Sequence, residues 1–302
     1  MFSGSLRAFD ETVRAGSIRK ASEVLGVAPS SVSRHIAILE NQIGTALFVR
    51  RAAGIELTHA GRLVADFARS VLLDFDTLRT DLSDMRGTQR RLLRLALVES
   101  VVQEGPVGVV PTLLKKYPTV SFNVRVMPAP QVVEGVRAGL YDVGVTFCSA
   151  PASDLVLLAR LPEPVVVVTP PDHPLAGEKH LDVRQIAALP LALPDTDFGV
   201  RQVFDRACAA HGLDVSPVLS SNVFETLREF VKRGVGLAVL PRHAVSHAEL
   251  AHGLRVIPLL GPEFRDTTVD VIVLRKRRLP RVVKSFVDEL IQGLGATLGR
   301  KS

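Results

Sequence analysis

Ser30, Ser31, Ser33 and Arg34 stand together in the stretch PSSVSR that begins at Pro29. Short hydroxyls and a guanidinium share one chemistry. They hydrogen-bond to phosphate oxygens and to base edges, and the guanidinium can engage two acceptors at once. Being short, the serines also let a duplex come close. Only a helix presents these side chains as one surface. Pro29 suits a first helical position, where the amide hydrogen it lacks would have no intrahelical acceptor. Val32, Ile36, Leu39 and Ile43 then follow at spacings of four, three and four. That stripe is expected to be buried, which turns Ser30, Ser33 and Arg34 toward another face. A solvated helix face is the plainer reading of the same residues.

The elements before this helix decide between the two. Leu6, Phe9 and Val13 predict a helix over Leu6–Ala15. Ser17 is placed to cap a short helix, Ile18–Leu25, that ends at Gly26, the residue that tolerates positive φ. Helix, glycine turn, helix is the helix-turn-helix pattern, whose second helix enters the major groove of DNA. After it, LFVRRAAGIELTHAG reads as two short strands around Arg50, Arg51 and Gly54, a wing whose arginines would grip the adjacent backbone. Thr58 then precedes a long pattern in which Leu63, Phe67, Val71, Phe75, Leu78 and Leu82 recur at four, four, four, three and four. A helix of about 28 residues spans about 42 Å. Its stripe has no evident core in the chain itself, so it is expected to pair with a second copy.

Composition narrows the class. The 302 residues suffice for two or three domains, with 47% hydrophobic and 23% charged residues, as in folded globular proteins. No run of about 18 apolar residues predicts a membrane span, and the first residues do not resemble a signal peptide. The formal charge is +6. Residues 1–62 carry eight basic and five acidic groups, and residues 275–302 eight and two. The two cysteines, Cys148 and Cys208, have no CxxC spacing, which fits a reducing cytoplasm.

From Arg91 the texture changes. Short Val/Leu/Ile runs (LLRLALV, VSFNVRVM, DVGVTF, VVVVT, LALP, GLAVLP, RVIPL, VDVIVL) alternate with helical segments at 107–117, 131–139, 182–188, 200–211 and 223–233. Alternation of this kind predicts an α/β fold with largely parallel sheets. The proline-dense run LPEPVVVVTPPDHP reads as a crossing between two subdomains, and VDVIVL as the return.

Taken together, these residues resemble the LysR-type transcriptional regulators. The matching positions are Phe9, Gly16-Ser17, Ala21, Leu25, Val27, Ser30, Val32-Ser33, Ile36, Leu39-Glu40, Gly44, Leu47-Phe48, Arg50, Leu57-Thr58 and Ala60-Gly61. Looser matches follow at KYPTVSF, GLYDVGV and GVGLAVLP. The family often has glutamine at position 29 and alanine at 22, where this chain has Pro29 and Ser22; no base preference is therefore carried over. The resemblance implies an all-α winged helix-turn-helix over 1–58 and a linker or dimerisation helix over 59–88. It implies a periplasmic-binding-protein-like effector domain over 89–302, with subdomain I at 89–162 and 268–302 and subdomain II at 163–267. It further implies homodimers or homotetramers on double-stranded DNA, a small-molecule effector in the cleft, and a response by RNA polymerase.

Ligands of such clefts meet the loops at strand ends and the N-termini of helices. The expected effector contacts are Ser100, Pro128, Cys148, Thr196, Phe198, Arg201, Asn222 and Phe224, with the hydroxyl at Ser100 placed by the resemblance. Because helix N-termini favour anions, a small carboxylate is the expected ligand. The DNA contacts are expected from Ser17, Ser30, Ser31, Ser33, Arg34, Arg50 and Arg51. No catalytic residue, cofactor or metal is predicted. His243 and His247 lie four apart near Glu249 and His252, but without the Glu of an HExxH pattern they read as a solvated helix face. Cys148 and Cys208 read as small apolar residues before a redox pair. The run Arg275–Arg278 reads as a solvated turn. Two rivals remain, a solute-binding protein and a small-molecule enzyme built on residues 91–302. The first 90 residues speak against the former, and the lack of GxSxG, P-loop and GxGxxG motifs against the latter.

Overall fold

The computed structural model describes residues 2–51, 54–84, 91–102, 105–148, 150, 152–275 and 279–299. The chain divides into two compact units, made largely of residues 1–89 and 90–302.

In the first unit α1 (Phe2–Ala15), α2 (Ile18–Leu25) and α3 (Pro29–Ile43) are followed by β1 (Phe48–Arg51), β2 (Gly54–Leu57) and α4 (His59–Asp84). Gly26 closes α2 at φ 65°, a left-handed turn that a Cβ would strain, and α3 opens with Pro29 in its first turn. Val32 and Ile36 pack with Ala8 and Ala21. Leu39 and Leu47 pack with Leu6, Phe9, Ala65 and Ala68. Complete burial of a leucine such as Leu39 contributes about 1.5–3 kcal/mol. Ile43, expected in the stripe, is 44% exposed, because the core ends one turn earlier. Ser22 is buried and donates its hydroxyl hydrogen to the Arg19 carbonyl at 2.7 Å, so its polar atom is satisfied. Along α4, Val64, Val71 and Leu72 join the core against α1, whereas Leu63, Phe67, Phe75 and Leu78 are exposed. Val71 therefore belongs to the intrachain core rather than to the free stripe.

The second unit holds two five-stranded sheets. β3 (Arg91–Leu97), α5 (Pro106–Lys116), β4 (Val120–Val126), α6 (Ala129–Arg137), β5 (Val143–Phe147) and β6 (Leu155–Pro162) build most of the first. The chain then crosses to β7 (Val165–Thr169), α7 (Val183–Ile186), β8 (Leu191–Pro194), α8 (Gly199–Ala210), β9 (Leu219–Ser221), α9 (Phe224–Lys232), β10 (Leu237–Pro241), α10 (His247–Ala251) and β11 (Arg255–Pro258). It returns through β12 (Thr268–Leu274) and ends in α11 (Arg281–Gly299). The strand orders are β4-β3-β5-β12-β6 and β11-β7-β10-β8-β9. The sheets are mixed rather than largely parallel. β12 runs antiparallel to β5 and β6, and β7 antiparallel to β10 and β11. Each sheet receives one strand from a crossing segment, and such a strand need not follow the right-handed βαβ rule that keeps the others parallel.

The two crossings are tied to each other. The Glu163 amide donates to the Thr267 carbonyl at 2.8 Å, and the Thr267 hydroxyl donates to the Glu163 carbonyl at 2.7 Å. No helix among the described residues is long and apolar enough to cross a membrane.

Candidate functional site

Two sites emerge, one in each unit. On α3 the buried stripe of Val32, Ile36 and Leu39 leaves Ser30 and Arg34 exposed and Ser31 and Ser33 half-buried at one end of the helix. Arg34 makes no hydrogen bond or ion pair among the described residues. Ser17 sits at the N-cap of α2 in an extended conformation, but its side chain makes no capping hydrogen bond. Its hydroxyl is thus not consumed by the helix. The strands β1 and β2 pair antiparallel, with Phe48 opposite Leu57 and Arg51 opposite Gly54. The Glu40 carboxylate anchors this hairpin to α3 by accepting the Leu47 and Phe48 amides at 2.7 and 3.3 Å. The Phe9 and Phe48 rings meet behind it, tilted at 49° with centroids 5.1 Å apart. Arg50 and Arg51 lie on β1; their side chains fall outside the described residues. Thr58 accepts the Gly61 amide on its hydroxyl at 2.8 Å and donates to the Ala46 carbonyl at 2.9 Å. One side chain thereby caps α4 and fixes the segment before the wing. Gly61 is required there, because a Cβ would fall on the Leu47 carbonyl oxygen.

The second site is a cavity of about 180 Å³ where the two sheets of the second unit face each other. Its walls come from the end of β3, the loop after β4, and the N-termini of α8 and α9. Ser100, Pro128, Phe198, Asn222 and Phe224 line it together. The other three expected contacts do not. Cys148 adopts φ 46° and its sulfur accepts the Thr268 amide at 3.3 Å, which turns it toward β12. Thr196 is exposed, and its carbonyl accepts from the Gln202 side chain at 3.2 Å. Arg201 is buried and consumed: it pairs with Asp205 at 2.8 Å and donates to the Pro194 carbonyl at 3.0 Å. Its role is to hold the loop before α8 rather than to meet a ligand.

Residues beyond those eight expected contacts complete the cleft. Met127 and Phe147 add apolar wall, and Glu99 and Asp197 add charge. The Phe198 and Phe224 rings stand 5.4 Å apart at 51°. Glu99 accepts the Phe224 amide at 2.7 Å, so a carboxylate from one sheet caps the helix of the other. Burial pushes its carboxyl above the usual range, against the lowering effects of the Phe224 amide and Arg228. The buried Ser100 hydroxyl has no hydrogen-bond partner among the described residues. No lysine, arginine or histidine is among the described residues lining this cavity. The carboxylate ligand expected above would find the start of α9 taken by Glu99, and the start of α8, which also lines the cavity, without a side-chain cap.

The remaining candidates resolve differently. His243 is fully buried rather than solvated, and it lies outside α10, where His247 sits. Its Nδ1 is 2.6 Å from Glu163 Oε2 and its Nε2 is 3.1 Å from the Leu294 carbonyl. A carboxylate and a carbonyl both accept, so the charged ring, with hydrogen on both nitrogens, is the form that satisfies both neighbours. Burial works against that charge, but the hydrogen bond and charge of Glu163 outweigh it and raise the pKa. No group of three metal-ligating side chains occurs among the described residues. Burial raises the thiol pKa of Cys148, and that of Cys208 to about 11, so neither is an activated thiolate. Arg275 donates to the Ser153 and Leu155 carbonyls at 2.6 and 3.2 Å; Lys276, Arg277 and Arg278 lie outside the described residues.

Comparison with known proteins bears on both units. The family model described as "Bacterial regulatory helix-turn-helix protein, lysR family" matches residues 4–62, and "LysR substrate binding domain" matches residues 86–295. The RuBisCO operon transcriptional regulator of Allochromatium vinosum is 25% identical over 240 residues, 80% of this chain and 79% of its own length. A probable nitrogen assimilation transcriptional activator of Synechococcus elongatus is 25% identical over 280 residues, 92% of this chain and 90% of its own. Among solved structures, a full-length OxyR variant from Pseudomonas aeruginosa superimposes with a TM-score of 0.71 at 21% identity, covering 96% of this chain and 94% of that one. At that identity the likeness is one of fold.

Proposed function

Given that this chain belongs to the LysR family of transcriptional regulators, we propose that Ser17, Ser30, Ser31, Ser33 and Arg34, with Arg50 and Arg51 on the wing, are its contacts to double-stranded DNA. We assign the residues at the opposed sheets, Ser100, Pro128, Phe198, Asn222 and Phe224, to the effector site. The reading divides the chain into a DNA-binding segment to residue 58, a linker helix to 88 and an effector domain beyond. It makes the chain a cytoplasmic regulator rather than an enzyme, acting on RNA polymerase.

The observation that carries the DNA assignment is the split character of α3. One side is sealed in the core of the first unit, and the other offers hydroxyls and an uncommitted guanidinium. In the major groove, α3 would set Arg34 against a base edge or a phosphate while the serines contact the backbone. A second copy fits the exposed Leu63, Phe67, Phe75 and Leu78 of α4, and pairing there would place two reading helices on a twofold site.

A gel-shift titration of the purified chain on genomic fragments tests this. Specific retention should fall steeply with added salt, as displaced counterions require. Deleting residues 1–62 should abolish it; retention by the remaining segment would overturn the assignment. Phe67→Asp combined with Phe75→Asp should give monomers by sedimentation, and an intact dimer would contradict the pairing.

A further inference from the structure

The cleft of the second unit is built to receive positive charge. Among the described residues, those of its lining that carry charge are Glu99 and Asp197. Glu99 spends one carboxylate oxygen, Oε1, on the Phe224 amide; Oε2 accepts no hydrogen bond among the described residues. Arg228, whose charge reaches Glu99, is already held by Glu225, by Glu249 at 2.7 Å and by the Ala244 carbonyl at 2.6 Å. Beside Glu99, Ser100 is only 3% exposed, and its hydroxyl has no hydrogen-bond partner among the described residues. A buried hydroxyl left in this state is a cost that a ligand can remove. The rest of the wall is apolar: Met127, Phe147 and the paired rings of Phe198 and Phe224.

We infer that this cleft takes a small organic cation, a protonated amine on an apolar body, with the ammonium at Glu99 Oε2, a hydrogen bond to Ser100 Oγ, and the body against Phe198 and Phe224. The inference rests on the cleft being the effector site. An ammonium supplies three donors, enough for the Glu99 carboxylate and the Ser100 oxygen together. Aromatic faces add attraction for a cation. A carboxylate ligand would instead meet two like charges and find the α9 terminus already capped.

Calorimetric titration of the full chain at pH 7 with benzylamine, benzyl alcohol and benzoate separates charge from shape. Benzylamine should bind saturably, at least about tenfold tighter than benzyl alcohol, and benzoate should show no saturable binding. Glu99→Gln, which keeps an acceptor for the Phe224 amide, should bring benzylamine down to the level of benzyl alcohol. Asp197→Asn, at the exposed rim, should weaken it less. Benzoate or benzyl alcohol matching benzylamine, no saturable binding by any of the three, or benzylamine indifferent to Glu99→Gln would each overturn the inference. The ranking in the unaltered chain decides the matter even where a variant fails to fold. A gel shift run with benzylamine present is read separately. The expected ranking with unchanged DNA retention would sink the cleft's regulatory role and leave its charge preference standing.

Discussion

The two sites handle charge in opposite ways. On α3 the guanidinium of Arg34 is exposed and uncommitted, whereas in the second unit Arg201, Arg228 and His243 are buried and each is matched to a carboxylate. An uncommitted surface arginine contributes little to folding and remains available to an external phosphate or base. A buried, paired one holds the fold and is unavailable to a ligand. The difference explains why charge type alone misled at Arg201, and why the charge that does face the cleft, at Glu99 and Asp197, is negative.

The strongest way to break this contrast is at the buried end. His243→Ala leaves the Glu163 carboxylate without its counterion in a site with no exposure, which should cost about 3–5 kcal/mol. Urea unfolding followed in the second unit measures it; a loss under 1 kcal/mol would mean that the pair is not an ion pair. The same pair predicts a pH dependence. The folded pKa of His243 is raised above the ordinary value near 6.5. Its contribution is therefore fully present below about pH 6.5 and is lost as pH rises through the folded value. The urea midpoint should fall as pH rises above about 6.5 in the unaltered chain, and this component of the fall should be missing from the alanine variant.

At the exposed end the expected effects are functional. Arg34→Ala should change stability by no more than about 0.5 kcal/mol. It should weaken specific DNA binding by about 1–3 kcal/mol if the guanidinium meets a base edge. Equal weakening on specific and random duplexes would recast Arg34 as a phosphate contact and flatten the salt dependence by about one charge.

How far the sequence reveals each site follows from the distances along the chain. The α3 face is assembled within about twenty residues, so Pro29, Gly26 and a stripe of period 3.6 are enough to place α2 with its observed ends and α3 with its observed start. The cleft is assembled from segments more than a hundred residues apart. Glu99 acquires its meaning only because the start of α9, 125 positions later, packs beside it. His243 read as solvated because its burial depends on Glu163, 80 positions away, and Leu294, 51 away. β6 went unread for a local reason. It is an edge strand whose register shifts beside Val271 and Ile272, so its exposed and buried positions do not alternate.

The smallest effect tests whether the exposed site is as rigid as its local construction implies. The Thr58 side chain joins the cap of α4 to the segment leading into the wing. Thr58→Ala removes an N-cap and should cost about 1 kcal/mol. The Gly61 amide and the Ala46 carbonyl would each lose their hydroxyl partner, but the Glu40 anchor to Leu47 and Phe48 would persist. DNA affinity should then fall less than stability does, because α3 itself is held by Val32, Ile36 and Leu39 and not by the cap. Unfolding and gel-shift titrations on the same preparation give both numbers. A loss of DNA affinity larger than that of Arg34→Ala would show that the wing, rather than α3, carries most of the contact, and would move the reading surface from the serine face to the hairpin behind it.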